Sequence, residues 1–448
     1  MTQSGVTPRL LNVEQYKRRI DPNQPIANIY RNAIDLNRFG NGVARQIVRD
    51  YNNIILSAVA DLKAIDLGEA TAGAGIVSPQ SVQAQRLRVI LAQLKESLDA
   101  WSGRSTAYVA RELQGLAELQ TEFVTEQLKL AIEGGQVGAR GVEPSVVAQR
   151  VVNTVEVAPN FAATVATVDP TDLNFTLPGT GGFNLTAAQG SAITLPNGDV
   201  VSKAFRGLAE SQAQRFNVIV RTGLLTGEPT AQIARRMVGS LNFGQLAKTA
   251  RQQALAGGEL TKAADHQVLT LVRTSVQQVA NAASEQVYKA NQDVTQKYRY
   301  VATLDSRTSA ICASLDGQEF EYGKGPQPPV HFNCRSTTVP IVDYEGLGLT
   351  PPEKVIGFGS RASEGGPIST VAKDKKGKEV FRSYGYWLKD QGNSYQAEVF
   401  RSDRRAAYFR KLSNKYGPQD ALVRMVREDG SEVTLAQLQR SYGKVRVD

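Results

Sequence analysis

Residues 300–340 read YVATLDSRTSAICASLDGQEFEYGKGPQPPVHFNCRSTTVP. This stretch, the Cys/His segment, holds both cysteines of the chain, Cys312 and Cys334, and one of its two histidines, His331. A chain of 448 residues that gathers such scarce side chains in one stretch marks a local site. The nature of that site, whether chemical or structural, is the main question that the sequence raises.

A metal site is one interpretation of the Cys/His segment. Structural zinc needs about four ligands, usually cysteine and histidine in short paired spacings. Here Cys312 stands alone, because Ser309 occupies the position that would complete a C-x-x-C pair, and the next candidate position after Cys334 holds Ser336. The sequence thus offers three zinc ligands, namely Cys312, His331 and Cys334, and a fourth would have to come from Asp305, Asp316 or His266. We therefore expect no cofactor and keep zinc as the alternative.

A disulfide between Cys312 and Cys334 is a second interpretation. It would close a loop of roughly 22 residues and stabilise the fold by about 3 kcal/mol. A reducing compartment during assembly argues against it. The sequence does not decide between metal ligation and a disulfide.

The third interpretation is a structural knot of turns and side-chain hydrogen bonds. Asp305 and the Asp316-Gly317 pair suit turn and capping positions. Arg307 and Arg335 are each expected to form a forked ion pair with one of these two carboxylates. We expect this structural arrangement.

Catalysis has weak support. A thiolate from Cys312 or Cys334 beside His331 would be a nucleophile, but no local protease signature surrounds either cysteine. No P-loop, no G-x-G-x-x-G after a strand, no H-E-x-x-H and no G-x-S-x-G is present. We expect the chain not to be an enzyme, with a thiol- or metal-dependent hydrolase as the remote alternative.

Composition indicates an ordinary globular chain with two to four domains. Hydrophobic residues make up 41% and charged residues 21%, so a core needs no disulfides. The start of the chain has no apolar signal region, and no uninterrupted apolar run is long enough for a membrane span. The net charge is +9, and residues 353–448 account for most of it, with 19 Lys and Arg against 12 Asp and Glu.

Helical periodicity dominates the first third of the chain. Apolar residues at helical spacing predict helices from about residue 26 to 65, with a break at Gly40 and Gly42, and then from Ser81 onward. A further helix is predicted from about Thr106 to Glu133, ended by Gly134-Gly135. These stripes indicate a bundle core.

The composition changes after Arg150, since no Lys or Arg occurs between Arg150 and Lys203. Asn197-Gly198 between short apolar runs predicts a β-hairpin over residues 193–201. Helices resume at Lys203–Leu225, and a long one is predicted over residues 260–296, followed by a strand at Tyr298–Leu304.

The predicted fold is mainly α with a smaller α+β C-terminal region. Its predicted parts are a helical N-terminal domain (residues 1–155), a Thr/Gly/Asn-rich β-hairpin linker (156–202), a helical segment that leads into the compact Cys/His motif (203–345), and a basic C-terminal α+β region (346–448).

The Cys/His segment resembles the signature of the phage Mu F-like head morphogenesis family, also called minor head or minor capsid proteins. The matching positions are Thr303, Asp305, Arg307, Thr308, Cys312, Leu315, Asp316, Gly317, Pro329, His331, Asn333, Cys334 and Arg335. The chain departs from the family at Ser309 and Ser336, where cysteine is common. Weaker similarity in the flanks extends the resemblance over roughly residues 190–445.

The resemblance implies a minor structural protein of a tailed-phage virion, and it implies no enzymatic activity. Such proteins act in head assembly at the portal and in genome packaging or delivery, so portal and other head proteins and non-specific double-stranded DNA are the implied partners. The implied location is the head interior or portal region, after assembly in the host cytoplasm. A homo-oligomer fits a portal ring, but no residue pattern sets a copy number. An internal protein ejected with the genome is the alternative.

Basic residues of the last hundred positions are the predicted DNA contacts. The helix at Ser402–Leu412 combines charge with Tyr408 and Phe409, and the sequence is consistent with either a phosphate-binding face or an ordinary amphipathic helix. The candidates are Lys373, Lys375, Lys376, Lys378, Arg401, Arg404, Arg405, Arg410 and Lys411.

Overall fold

A computed structural model describes residues 25–65, 82–151, 156–157, 184–185, 195–247, 252, 255–352, 371–374 and 376–446. The described chain is mainly helical with several small sheets, which confirms the predicted fold class. Among the described residues, no helix combines the length and the apolar character needed to cross a membrane.

Long helices form the body of the molecule. In chain order the helices of this part are α1 (Pro25–Lys63), α2 (Val82–Glu133), α3 (Pro144–Ala148), α4 (Val201–Leu225), α5 (Thr230–Val238) and α6 (Glu259–Ala290), with a 3₁₀ turn at Phe243–Ala247. Two-residue strands lie between or beside them: β1 (Gln136–Val137), β2 (Glu156–Val157) and β3 (Asn184–Leu185).

The predicted break at Gly40 and Gly42 is wrong, because α1 runs through both glycines as one helix. Gly40 serves close packing instead. A Cβ placed on it would meet the Cα of Arg273 on α6 at 3.3 Å. The absence of a side chain thus lets α1 and α6 approach each other.

Two helices that the sequence predicts as separate also form a single helix in the structure. The structure joins the stripe after Ser81 to the helix predicted from Thr106, so α2 runs for 52 residues. Trp101 lies at the junction, is fully buried, and donates its indole N–H to the carbonyl of Ile47 at 3.1 Å. Its ring meets Tyr51 and Phe205 at 5.4 and 5.8 Å between centroids. This tertiary packing keeps the chain helical past Gly103.

One apolar core runs through α1, α2, α4, α5 and α6. It extends from Leu36 on α1 to Ala283 on α6, across the predicted boundary between residues 1–155 and 203–345. The domain division itself stays a prediction, but the packing core does not follow it.

Buried amides connect the same helices. Asn28 of α1 donates to Gln127 of α2 at 2.7 Å, and Asn32 donates to Gln120 at 2.7 Å. Gln120 in turn donates to Ser284 of α6 at 3.0 Å. Because a buried amide without its partner lowers the stability of the fold, these pairs favour one register of the helices.

The predicted hairpin at residues 193–201 is only partly present. The turn exists, since Leu195 N–H donates to the Asp199 carbonyl at 2.9 Å and Gly198 has φ +82°. Its second arm is absent, because Val201 begins α4 and is buried in the bundle core. The first arm includes residues 193 and 194, which lie outside the described residues.

A three-stranded antiparallel sheet leads into the Cys/His segment. The order is β5 (Glu319–Glu321), β4 (Thr295–Val301), β6 (Thr337–Val342), so the predicted strand is present about three residues early. Val301 pairs with Thr337. That pair closes the base of the excursion formed by residues 302–336. Within the excursion lies the short helix α7 (Ala310–Leu315), and β7 (Leu349–Thr350) afterwards pairs with β1.

The C-terminal region is α+β as predicted. A hairpin of β8 (Val371–Lys373) and β9 (Glu379–Phe381) precedes α8 (Tyr384–Lys389), α9 (Asn393–Phe400), α10 (Asp403–Tyr416), α11 (Pro418–Val423) and α12 (Leu435–Tyr442). These helices share a second apolar core with Leu304 and Ala313 of the Cys/His segment.

Candidate functional site

The Cys/His segment is folded around the short helix α7. Ser309 is its N-cap, and the Ser309 hydroxyl accepts the Cys312 N–H at 3.3 Å. This cap satisfies one free donor of the first turn and places Cys312 on that turn. His331 and Cys334 come from the loop before β6, where the Cys334 N–H donates to the His331 carbonyl at 3.2 Å.

Both thiols and the histidine converge, as their clustering in the sequence indicated. Cys312 Sγ lies 3.7 Å from Cys334 Sγ and 3.1 Å from His331 Nε2. Ser309 Oγ lies 2.7 Å from the same Nε2, and the Tyr300 hydroxyl lies 3.3 Å from Cys312 Sγ. Both cysteines are free thiols and are buried, each with 2% exposure.

The imidazole of His331 is held from its other nitrogen. Nδ1 lies 2.8 Å from the carbonyl of Phe332, which can only accept a proton. Nδ1 therefore carries a hydrogen, and Nε2 faces the sulfurs, where it donates a hydrogen in the imidazolium and offers a lone pair in the neutral ring.

The thiols differ in acidity because they share one proton. The hydrogen bond to Cys334, together with burial, raises the pKa of Cys312 well above the usual value. Burial opposes ionisation of Cys334 as well, but hydrogen bonds from Cys312 and His331 outweigh it and lower the pKa of Cys334. Negative charge in this pair therefore resides on Cys334.

Neither thiol is open to a substrate. A nucleophile needs a free approach to the attacking sulfur, and the 2% exposure of each cysteine does not provide one. The expectation that the chain is not an enzyme stays a prediction.

Asp305 is the polar centre of the segment. Arg335 forks onto its carboxylate with two hydrogen bonds of 2.6 and 2.7 Å, and Arg307 adds a longer contact of 3.3 Å. The backbone N–H of Arg307 also donates to this carboxylate, at 3.0 Å. Both arginines therefore converge on Asp305, one of the two carboxylates that the sequence offered them.

Asp316 has a different role. It is fully buried, and its carboxylate accepts the backbone N–H groups of Ala302 at 2.7 Å and of Tyr384 at 2.5 Å. Gly317 follows with φ +83°, a conformation that favours glycine. The predicted turn role of Asp316-Gly317 is confirmed. The hydrogen bond from Tyr384 of α8 to the Asp316 carboxylate was not predicted.

Two threonines of the signature close the base of the excursion. The Thr303 hydroxyl donates to the Arg335 carbonyl at 3.2 Å, and the Thr308 hydroxyl donates to the Thr303 carbonyl at 2.5 Å. The first bond joins the start of the excursion to its end, and the second holds the turn after Thr303.

One side of the Cys/His segment is attached to α6. Asn333 has φ +57°, its backbone N–H donates to Thr274 Oγ1 at 3.0 Å, and its amide donates to Thr270 Oγ1 at 2.9 Å. Further along, Gln277 donates to the Ser336 carbonyl at 2.7 Å, and Thr337 donates to Asn281 at 3.1 Å.

The other side is attached to the C-terminal helices. The Tyr384 hydroxyl of α8 donates to the Asp305 carbonyl at 2.7 Å. Gln419 of α11 donates to the carbonyls of Ala313 and Ser314, both at 2.9 Å. The segment therefore joins the long helices to the C-terminal region.

These attachment residues were missed in the sequence. A signal was present on α6, where Thr270, Thr274, Gln277 and Asn281 follow each other at intervals of four, three and four. That is the spacing of one helix face, and polar residues along a face packed against a core predict polar partners. No comparable pattern marks Tyr384 or Gln419.

The predicted DNA-contacting residues do not form one surface of free charges. Lys373, Lys376, Lys378, Arg401 and Arg404 are exposed, and Lys375 lies outside the described residues. The remaining three make contacts within the fold: Arg405 pairs with Glu432 at 3.1 Å, Arg410 donates to Gln396 at 3.3 Å, and Lys411 donates to the Tyr442 carbonyl at 2.6 Å.

Of the two alternatives for α10, the structure has the ordinary amphipathic helix. Tyr408 and Phe409 are 3% and 0% exposed and belong to the C-terminal apolar core. The helix is amphipathic, with its aromatic face turned inward, so no base can stack on these rings.

The central part of the chain matches a known protein family. Residues 215–339 match the family described as Phage Mu protein F like protein, which confirms the predicted resemblance over this segment. The matched range ends inside β6 and includes every signature residue of the Cys/His segment. The match supports a structural, head-morphogenesis kind of phage protein.

A curated relative gives a shorter match. An uncharacterized protein of Haemophilus influenzae is 33% identical over 109 residues, which cover 21% of this chain and 24% of that protein. The chain thus spans about a quarter of the length of that relative. No solved structure matches the chain significantly.

Proposed function

We infer from the Mu F-like segment at residues 215–339 that the chain is a minor structural protein of a tailed-phage virion. It acts in head assembly at the portal and in packaging or delivery of the genome, and it contacts double-stranded DNA without sequence preference. The family match is the observation that carries this proposal. Portal and head proteins are its partners.

The internal contacts of the signature support a structural role for it. Asp305, Asp316 and Asn333 each make side-chain hydrogen bonds to other parts of the same chain. A catalytic or ligand-binding set would instead direct such groups into a cleft. These residues hold the long helices and the C-terminal region in a fixed relation, as a protein that assembles into a larger particle requires.

The DNA contact rests on the exposed subset of the basic residues. Lys376 and Lys378 lie at the β8–β9 turn, and Arg401 and Arg404 lie at the α9–α10 junction. Each exposed cation that meets a phosphate releases counterions, so affinity falls with salt. Arg405 already has a carboxylate partner and contributes to the fold instead.

The virion role is tested by quantitative mass spectrometry of purified particles of the encoding phage, before and after triggered DNA release. We expect the chain in filled particles at low copy number and retained in emptied heads. Its loss with the DNA would replace the fixed role by that of an ejected internal protein. Its absence from both kinds of particle would refute the proposal.

The DNA contact is tested by measuring duplex affinity against salt concentration. Replacing Lys376, Lys378, Arg401 and Arg404 by glutamine should reduce the salt slope by up to about 0.9 for each lost phosphate contact. The control replaces four exposed cations of the long helices, Arg45, Arg86, Lys95 and Arg104, and so removes the same charge. Equal losses in both variants would show a general charge effect and remove the assigned surface.

A further inference from the structure

The geometry of the Cys/His segment points to a site for a tetrahedral transition-metal ion of the zinc type, and we propose that Cys312 Sγ, Cys334 Sγ and His331 Nε2 bind it. Among the described residues, these three ligand atoms form a cluster in which all lie within 4.8 Å of one another. The proposal does not depend on the virion role.

The separation of the sulfurs fits a shared ion. With zinc–sulfur bonds of about 2.3 Å and tetrahedral angles, two thiolates on one zinc lie about 3.8 Å apart. The two sulfurs here lie 3.7 Å apart. A disulfide needs about 2.05 Å, so the sulfurs would have to move together by well over an ångström.

The histidine is oriented as zinc ligands are. Its Nδ1 hydrogen is directed to the Phe332 carbonyl, so the Nε2 lone pair of the neutral ring faces the sulfurs. Metal-bound histidines are usually held by such a bond from the other nitrogen. Zinc bonds of about 2.3 Å to sulfur and 2.0 Å to nitrogen put the two atoms about 3.5 Å apart at a tetrahedral angle. The present 3.1 Å between Cys312 Sγ and Nε2 is a hydrogen-bond distance, which the ion would lengthen.

Ser309 faces the fourth position. Its Oγ lies 2.7 Å from Nε2 and on the same first turn as Cys312. Zinc sites with three protein ligands commonly complete their shell with an oxygen. We therefore place the fourth ligand, an oxygen, on the side of the ion next to Ser309. This oxygen would complete the set of four ligands, of which the sequence offered only three.

The surroundings favour a structural ion. Cys312 belongs to α7, whereas His331 and Cys334 belong to the loop that is attached to α6. An ion that bound all three would fasten α7 to this loop and would stabilise the folded state by mass action. His331 is only partly buried and provides the way in for the ion.

The first experiment titrates the chelator-treated full chain with Co²⁺, which reports tetrahedral thiolate ligation by its visible and near-ultraviolet absorption. We expect one Co²⁺ for each chain and its displacement by Zn²⁺. Because the chain has only two cysteines, any thiolate band comes from Cys312 and Cys334. A thermal melt should show a higher Tm with Zn²⁺ than with chelator.

Variants then test each assignment. Cys312→Ser and Cys334→Ser should each weaken the thiolate band and the affinity, and His331→Gln should lower the affinity by more than about tenfold. His266→Gln changes the other, exposed histidine and should leave binding unaltered. Ser309→Cys should strengthen the thiolate band and the affinity, because it adds a third sulfur at the fourth position.

Measurements on the wild-type chain test the proposal even if a variant does not fold. Two titratable thiols, a native circular dichroism spectrum and no Co²⁺ band would refute it. So would a purified native chain without titratable thiols, because the cysteines would then form a disulfide. Unchanged spectra for Ser309→Cys would refute the assignment of the fourth position.

Discussion

The long helices and the Cys/His segment are stabilised in different ways. Helices α1, α2, α4, α5 and α6 share a continuous apolar core in which side chains such as Leu98 are fully buried. The Cys/His segment has little regular structure and is held by carboxylates, such as those of Asp305 and Asp316, that accept hydrogen bonds from distant parts of the chain. The first region depends on apolar volume, and the second depends on particular polar partners.

This difference predicts unequal tolerance to substitution. An apolar core accepts side chains of similar volume, because burial is not directional. A buried carboxylate with several donors accepts no substitute, since each donor then lacks its partner. Four substitutions test the comparison, beginning with the largest expected effect.

Asp305→Asn should be the most damaging change of similar volume. It leaves Arg335 largely buried without its negative partner, and breaking such a pair typically costs about 3–5 kcal/mol. Chemical denaturation of both chains measures the difference. Glu319→Gln is the control, because its ion pair with Arg299 is more exposed and should cost less than about 1 kcal/mol. Equal losses would contradict the central role of Asp305.

Gly317→Ala should cost about 3 kcal/mol in the free energy of unfolding. The position has φ +83°, and a Cβ there would lie 2.9 Å from Cδ1 of Phe381, so conformational strain adds to overpacking. Gly323→Ala is the matched control, since Gly323 has φ +79° and no atom within 4 Å of an added Cβ. Its cost should be only the strain of about 1–2 kcal/mol. If both variants lose the same stability, the contact with β9 contributes nothing.

Leu98→Met should cost less than about 1.5 kcal/mol, although Leu98 is fully buried in the long helices. Methionine has a similar volume and can adapt to the surrounding core. The same denaturation experiment measures it. A loss as large as that of Asp305→Asn would show that the two regions do not differ in tolerance.

Glu112→Gln tests the smallest effect, which depends on pH. Burial raises the pKa of Glu112 above its ordinary value of 4.5, so its protonated form is favoured in the folded chain. The stability from that proton is present at low pH and is lost as the pH rises through the folded pKa. The variant should therefore gain stability over the wild type toward neutral pH and lose that gain near pH 4. A constant difference at all pH values would refute this assignment.

The positions of the helices were largely predictable, but their breaks were not. Apolar stripes at helical spacing located α2 and α6 within a few residues, because burial of one face is encoded locally. Gly40 predicts a helix break by its residue type, whereas in the structure it allows the close approach of Arg273 from α6. That approach depends on a residue more than two hundred positions away.

The site was predictable in its members but not in its contacts. The rarity of cysteine and histidine in the chain was enough to group Cys312, His331 and Cys334 in the sequence, and the fold brings them together in space. The attachment of Asp316 to Tyr384 was not predictable, because a backbone N–H as donor leaves no mark in the sequence. The burial of Tyr408 was missed for a related reason, as an amphipathic helix does not state which face a neighbour will cover.

The sequence by itself determined the helical class, the turn at Asp316-Gly317, the basic C-terminal region and the resemblance of the Cys/His segment to a phage family. Each of these depends on local spacing, composition or a short motif. Tertiary structure alone decided that Asp305 receives both Arg307 and Arg335, that Ser309 faces His331, and that one core crosses the predicted domain boundary. Such features arise from contacts between residues far apart in the chain, and their geometry is set only when the intervening elements have packed.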